Sequence, residues 1–222
     1  QIASAPPAPA EAWRSTPFAR ALARQTAPPY PLQNDGLTEA EHPVPGFFLT
    51  ADLCPANAPL DRPFFSATAA LPQKQPIPVS LMVSGRWMRS HEEDIAWLKA
   101  QQEAGKLAIT WVNHSFSHFY DPSLPTGQNF LLSSRTDFTR EVLSLEILLL
   151  ENGLLPSPFF RFPGLVSDRH AIEKLRNLSL IPIGSNAWLA KGESPKPGSI
   201  ILVHANGNEP EGIRLLIAFY ED

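Results

Sequence analysis

A single cysteine, Cys54, stands among 222 residues, which excludes an internal disulfide framework. There is no basic block and no stripe of arginines interleaved with aromatics, and the formal net charge is −4. Together these exclude a nucleic-acid surface of the usual electrostatic kind. Long hydrophobic runs are missing too. The longest, Leu215 to Tyr220, falls far short of the ~18 apolar residues of a membrane span. Gln1 to Ala10 has neither a positive n-region nor an apolar h-region, so no signal peptide is visible. The absence of an initial Met is expected of a processed end, which leaves export open. No internal repeat or low-complexity tract occurs beyond a Pro/Ala-rich start.

The length suits one α/β domain with a buried core. Residues 1–45 carry Pro6, Pro7, Pro9, Pro28, Pro29 and Pro31, which forbid regular helix or ladder over much of the stretch. It reads as a tether or strap outside the domain, with one short amphipathic helix carrying Trp13, Phe18 and Leu22. From Gly46 to Asp222 short apolar runs alternate with helical patterns. Seven runs read as strands: Phe47–Thr50, Val79–Val83, Leu107–Val112, Phe159–Phe162, Leu180–Ile183, Ile200–Val203 and Leu215–Phe219. Ser90 with Glu93 predicts a capping box, followed by a helix carrying Ile95 and Leu98 and ending at Gly105. Asp137 predicts the cap of a helix with Val142, Leu145 and Leu149 on one face, and Ser167 or Asp168 the cap of a third. Alternation of this kind implies a mostly parallel sheet with right-handed crossovers, closed into an irregular seven-stranded barrel.

Barrel enzymes place their chemistry at the C-terminal ends of strands. Asp52 follows the first run, His114 and His118 the third, and His204 the sixth, while Arg161 lies at the end of the fourth. Two histidines four apart can serve one metal when a helical turn puts them on one face. Each residue also has a plain structural reading: Asp52 as a cap, the histidine pair as packing, Arg161 as a surface ion pair, His204 as a strand end. Their joint order along the chain favours a shared mouth.

His114-Ser115-Phe116-Ser117-His118, Phe160-Arg161-Phe162-Pro163-Gly164 and Ile200-Ile201-Leu202-Val203-His204 resemble motifs of the polysaccharide deacetylases (NodB homology, carbohydrate esterase family four). Pro78 to Gly85 resembles that family's second strand. The resemblance implies an irregular (β/α) barrel and a metal-dependent hydrolase that removes acetyl groups from an N- or O-acetylated glycan. It implies Asp52 as base, His204 as acid, Arg161 orienting Asp52, His114 and His118 as ligands of a divalent metal, and Trp188 and Leu202 lining the acetyl pocket. It also implies an acetylated polysaccharide or oligosaccharide as partner and a periplasmic or secreted location.

The chain departs from the pattern at several places. Leu53 stands where the family's metal-binding Asp belongs. Asp52 could move onto the metal, or Cys54 could supply a thiolate suited to zinc; Cys54 is equally readable as a small buried hydrophobe. The third motif lacks its tyrosine, and Gly184 replaces an Asp that supports the arginine. Two further readings stay open: a catalytically silent barrel that binds glycan or protein, and an amidohydrolase acting on a small amide. Trp87, Trp97, Trp111, Phe116, Phe119 and Tyr120 are expected mostly in the core, with any exposed ring available to stack on sugar.

Overall fold

The computed structural model describes residues 10–74 and 76–221. Pro6, Pro7 and Pro9 of the expected tether, and the chain start read as a processed end, lie outside the described residues.

Seven parallel strands form one sheet: β1 (Phe48–Leu53), β2 (Ile77–Val83), β3 (Leu107–Asn113), β4 (Pro156–Phe160), β5 (Ile181–Pro182), β6 (Ala187–Trp188) and β7 (Ile200–His204). Their spatial order is β5-β4-β3-β2-β1-β7-β6. The sheet curls into an incomplete barrel, with β5 and β6 as its two edges. Helices α3 (Arg62–Ala69), α4 (Gly85–Ser90), α5 (Glu92–Glu103), α6 (Phe138–Glu151), α7 (Arg169–Asn177) and α8 (Pro210–Glu221) supply the outer layer. The count of seven and the α/β barrel class agree with expectation, but one strand differs. Leu215–Phe219 belongs to α8, where Ile213 and Leu216 face the core at helical spacing. A five-residue apolar run does not distinguish strand from helix by itself. The missing strand is the two-residue β6, which pairs Ala187 with Ile201 and Trp188 with Leu202.

Alternation along β1 divides its side chains between two environments. Ala51 and Leu53 enter the main apolar core with Phe64, Leu81 and Trp87. Thr50 and Asp52 face the other way, into the barrel. A second apolar cluster, including Val142, Phe160 and Leu175, packs α6 and α7 against β4.

Helix ends follow local chemistry in part. Asp137 accepts from the Arg140 N–H at 2.9 Å and Asp168 from the Ala171 N–H at 2.7 Å, capping α6 and α7. Gly105 and Gly153 take the left-handed conformation (φ 67° and 70°) that ends α5 and α6. The capping box at Ser90 does not form. Ser90 Oγ turns back to the Arg86 and Trp87 carbonyls, closing α4, and α5 starts after His91 without a side-chain cap. The single N-terminal helix is two, α1 (Ala10–Arg14) and α2 (Pro17–Gln25), because Thr16 caps and Pro17 occupies the first turn.

Candidate metal centre and active site

The register of a parallel sheet fixes which residues share a mouth. Asp52 lies beside His204 across the β1–β7 pairing and beside Met82 across β1–β2. His114 follows β3 directly, Arg161 follows β4, Cys54 follows β1, and Trp188 ends β6. The structure brings Asp52, Cys54, His114, His118, Trp188, Leu202 and His204 to one cavity of about 640 Å³ at this end of the sheet. Arg161 stands behind Asp52 and is fully buried, so it is not the surface ion pair considered for it.

His114 and His118 do not share a helical turn. They sit on a loop bent by left-handed backbone at Ser115 (φ 64°) and His118 (φ 47°), which brings their ring centroids to 4.9 Å. The His114 Nδ1 lies 2.8 Å from the Arg161 carbonyl. A carbonyl only accepts, so Nδ1 carries the hydrogen and Nε2 presents a lone pair to the cavity. The His118 Nε2 is shielded from solvent and has no hydrogen-bond partner. Burial lowers both imidazoles, His118 to about 3, so both are neutral near pH 7. Two neutral imidazoles with free lone pairs could hold a metal ion.

Cys54 completes a trio with them, the three ligand atoms all lying within 4.8 Å of one another. Its Sγ is 3.5 Å from the His114 Nε2. Tetrahedral zinc with Zn–N and Zn–S bonds of about 2.0 and 2.3 Å sets such atoms about 3.5 Å apart. Burial, reinforced by the Asp52 and Glu209 charges, pushes the thiol well above its ordinary range. Without a metal it therefore holds its proton, which an ion would displace. Leu53, at 0% exposure, points into the apolar core and cannot reach this trio.

Asp52 has its two oxygens in different company. Oδ1 accepts from Arg161 Nη1 at 2.7 Å, and Oδ2 lies 3.7 Å from the His114 Nε2. Burial works to raise this carboxyl, yet the guanidinium of Arg161, with His114 and His204, outweighs it and the net shift is downward. Asp52 is thus an anion at neutral pH with one oxygen unclaimed. Arg161 is braced from behind: Nη2 donates to the Gly184 carbonyl at 2.7 Å and Nη1 also to Thr50 Oγ1 at 2.8 Å.

Across the cavity the His204 Nδ1 meets Glu209 Oε2 at 2.7 Å, and the same oxygen accepts from Trp188 Nε1 at 2.8 Å. Burial favours a neutral Glu209, but these two hydrogen bonds keep it anionic and lower it overall. Sequence reasoning missed Glu209, because a lone carboxylate in the loop before α8 carries no periodic signal. Of the aromatics, Trp87 and Trp111 are buried, while Tyr120 is 61% exposed at the rim, stacked on Phe130 with centroids 5.4 Å apart.

No family model matches the chain. Among solved structures, it superposes on a family 4 carbohydrate esterase from Bacillus anthracis with a TM-score of 0.60 at 16% identity, over 94% of this chain and 85% of that one. The fold is that of the family 4 carbohydrate esterases. A chitin deacetylase from Colletotrichum lindemuthianum superposes at TM-score 0.53 and 14% identity, covering 83% of this chain and 85% of that one. A family 4 pseudoenzyme from Bacillus anthracis gives TM-score 0.53 and 14% identity over 81% of this chain and 62% of the other. The carbohydrate-esterase fold thus carries both active and silent members, and the side chains of this site must separate them.

Proposed function

We propose that this protein is a metal-dependent hydrolase that removes acetyl groups from an N- or O-acetylated glycan, with His114, His118 and Cys54 as the ligand set. The observation that carries the reading is the trio of two neutral imidazoles and a thiol, buried but for part of His118, next to an anionic Asp52 and opposite the His204–Glu209 pair. A divalent ion there, zinc by its donor set, would supply Lewis-acid polarisation of the acetyl carbonyl and a more acidic water. Asp52, held anionic by Arg161, takes a proton on its unclaimed Oδ2. His204, whose Nδ1–H is fixed on Glu209, turns Nε2 to the cavity, where as the imidazolium it gives its Nε2 proton to the departing nitrogen or oxygen and ends neutral. Trp188 and Leu202 wall the cavity and seat the acetyl methyl. Asp52 keeps its role as base because Cys54 supplies the third ligand.

The fold neighbour named as a chitin deacetylase supports an acetylated polysaccharide or oligosaccharide as partner. An exposed ring such as Tyr120 suits stacking on a sugar, and an open rim suits a polymer better than a small amide. A periplasmic or secreted location in the bacterial envelope accords with such a substrate. Among the described residues no helix is long and apolar enough to cross a membrane. The second reading, a silent glycan-binding barrel, draws on Leu53 and on the pseudoenzyme with the same fold.

The deciding experiment is metal analysis of protein purified without chelator, alongside acetate release from acetylated chito-oligosaccharides and peptidoglycan. One bound zinc and turnover that His114→Ala abolishes, with cooperative unfolding retained, are expected. Bound glycan with neither metal nor acetate release would establish the silent barrel instead.

A further inference from the structure

The incomplete barrel is open between β5 and β6, and the segment before β1 fills the opening. Gln33 bridges Val166, Leu37 bridges Ile183 and Glu39 bridges Ser199. This strap lies close against β5: a Cβ on Gly36 (φ 97°) would come within 2.4 Å of the Pro182 carbonyl oxygen. Within it Asn34 adopts a left-handed backbone, φ 62°, a conformation that asparagine tolerates better than most residues. Its Oδ1 accepts from the Ser185 N–H at 2.9 Å, and its Nδ2 donates to the Ser185 carbonyl. One side chain thereby holds both backbone polar groups of Ser185, as a neighbouring strand would.

The peptide whose N–H is that of Ser185 carries the Gly184 carbonyl, which braces Arg161. The Gly184 carbonyl accepts Nη2 at 2.7 Å, the Ile183 carbonyl accepts Nε at 3.4 Å, and Arg161 in turn holds Asp52 at 2.7 Å. Asp52 is the sole carboxylate paired with this buried guanidinium among the described residues. The rest of its alignment falls to Thr50 Oγ1 and to carbonyls in the link between two edge strands, whose outer side is held by the strap alone, through the Leu37 backbone and Asn34. Space shows how closely the two elements are matched. A Cβ on Gly184 would lie 2.3 Å from Asn34 Oδ1, so a side chain at 184 and the asparagine exclude one another.

We propose that Asn34 is a positioning residue: by clamping Ser185 it fixes the Gly184 carbonyl that braces Arg161, and so sets where Asp52 stands in the cavity. The strap is then part of the working site. The catalytic consequence rests on the function proposed above, whereas the bracing of Arg161 does not.

Asn34→Gly tests this, because glycine keeps the left-handed backbone without strain and removes only the clamp. Expected are a fall in kcat of ~10-fold or more, by analogy with other outer-shell partners, with KM and metal content unchanged. Hydrogen exchange at the Arg161 Nε–H, followed by NMR, should become faster. Glu39→Ala is the control, since it cuts the strap's bonds to Asn186 and Lys196 but none leading to Arg161. It should move neither readout. Gly184→Asp alone should be damaging, and Asn34→Gly with Gly184→Asp should recover part of the loss, because removing the asparagine relieves the tightest contact at 184 and leaves Thr38 Cγ2 at 3.0 Å. If the parent releases no acetate the proposed activity fails, and Arg161 exchange still decides the bracing. Unchanged exchange in Asn34→Gly, or an equal effect from Glu39→Ala, would overturn the proposal.

Discussion

Leu53 and Cys54 are neighbours in sequence with opposite surroundings, and this sets what substitution can do at each. Read along the sequence, Leu53 occupies the place of a family carboxylate, which invites Leu53→Asp as a repair. In the fold its side chain is enclosed by the apolar core, and an unpaired carboxylate there costs several kcal/mol. Leu53→Asp should therefore lower the thermal midpoint sharply and gain no metal, as calorimetry and metal analysis would show. Cys54→Ser should leave the midpoint of the metal-free protein nearly unchanged yet weaken metal retention ~10-fold or more, since a hydroxyl is a poor replacement for a thiolate. Glu209 makes a third case. Glu209→Gln retains an acceptor for the Trp188 indole but removes the negative charge that His204 Nδ1 faces. Acetate release should slow by ~10-fold or more with metal content unaltered.

Among the elements, caps and short strands differ in how far the sequence specifies them. Asp168 caps α7 through a local contact that four consecutive residues define. Asp168→Ala should cost about 1 kcal/mol by denaturant titration, with metal content unaffected. Asp137 is equally legible. Ser90 was not, because its hydroxyl has carbonyls of the preceding turn within reach, and these compete with the cap. β6 is two residues long and exists only because β7 pairs with it. The apolar run at Leu215–Phe219 was ambiguous for a different reason: its neighbours in space, not its composition, make it helical.

At the scale of the molecule, burial of the two imidazoles links the site to acid stability. His118 falls from an ordinary 6.5 to about 3 in the folded chain, so between those values the unfolded chain binds the proton that the native one refuses. In the metal-free protein this contribution is fully present above pH 6.5 and is lost as pH falls towards 3. The chelator-treated protein should melt at a lower temperature at pH 5 than at pH 7, and His118→Phe should flatten that difference. The sequence by itself determined the alternation of strands and helices, the parallel barrel, and the appearance of Asp52, His114, Arg161 and His204 at or just past the ends of apolar runs. These follow from periodicity and local chemistry, which a linear reading contains. Only the tertiary structure decided that Leu53 faces the core while Cys54 faces His114, that Glu209 meets His204, and that Asn34 reaches Ser185 across the barrel opening. Each depends on which way a strand presents its side chains, or on contacts between segments distant in the chain, and no local pattern encodes either.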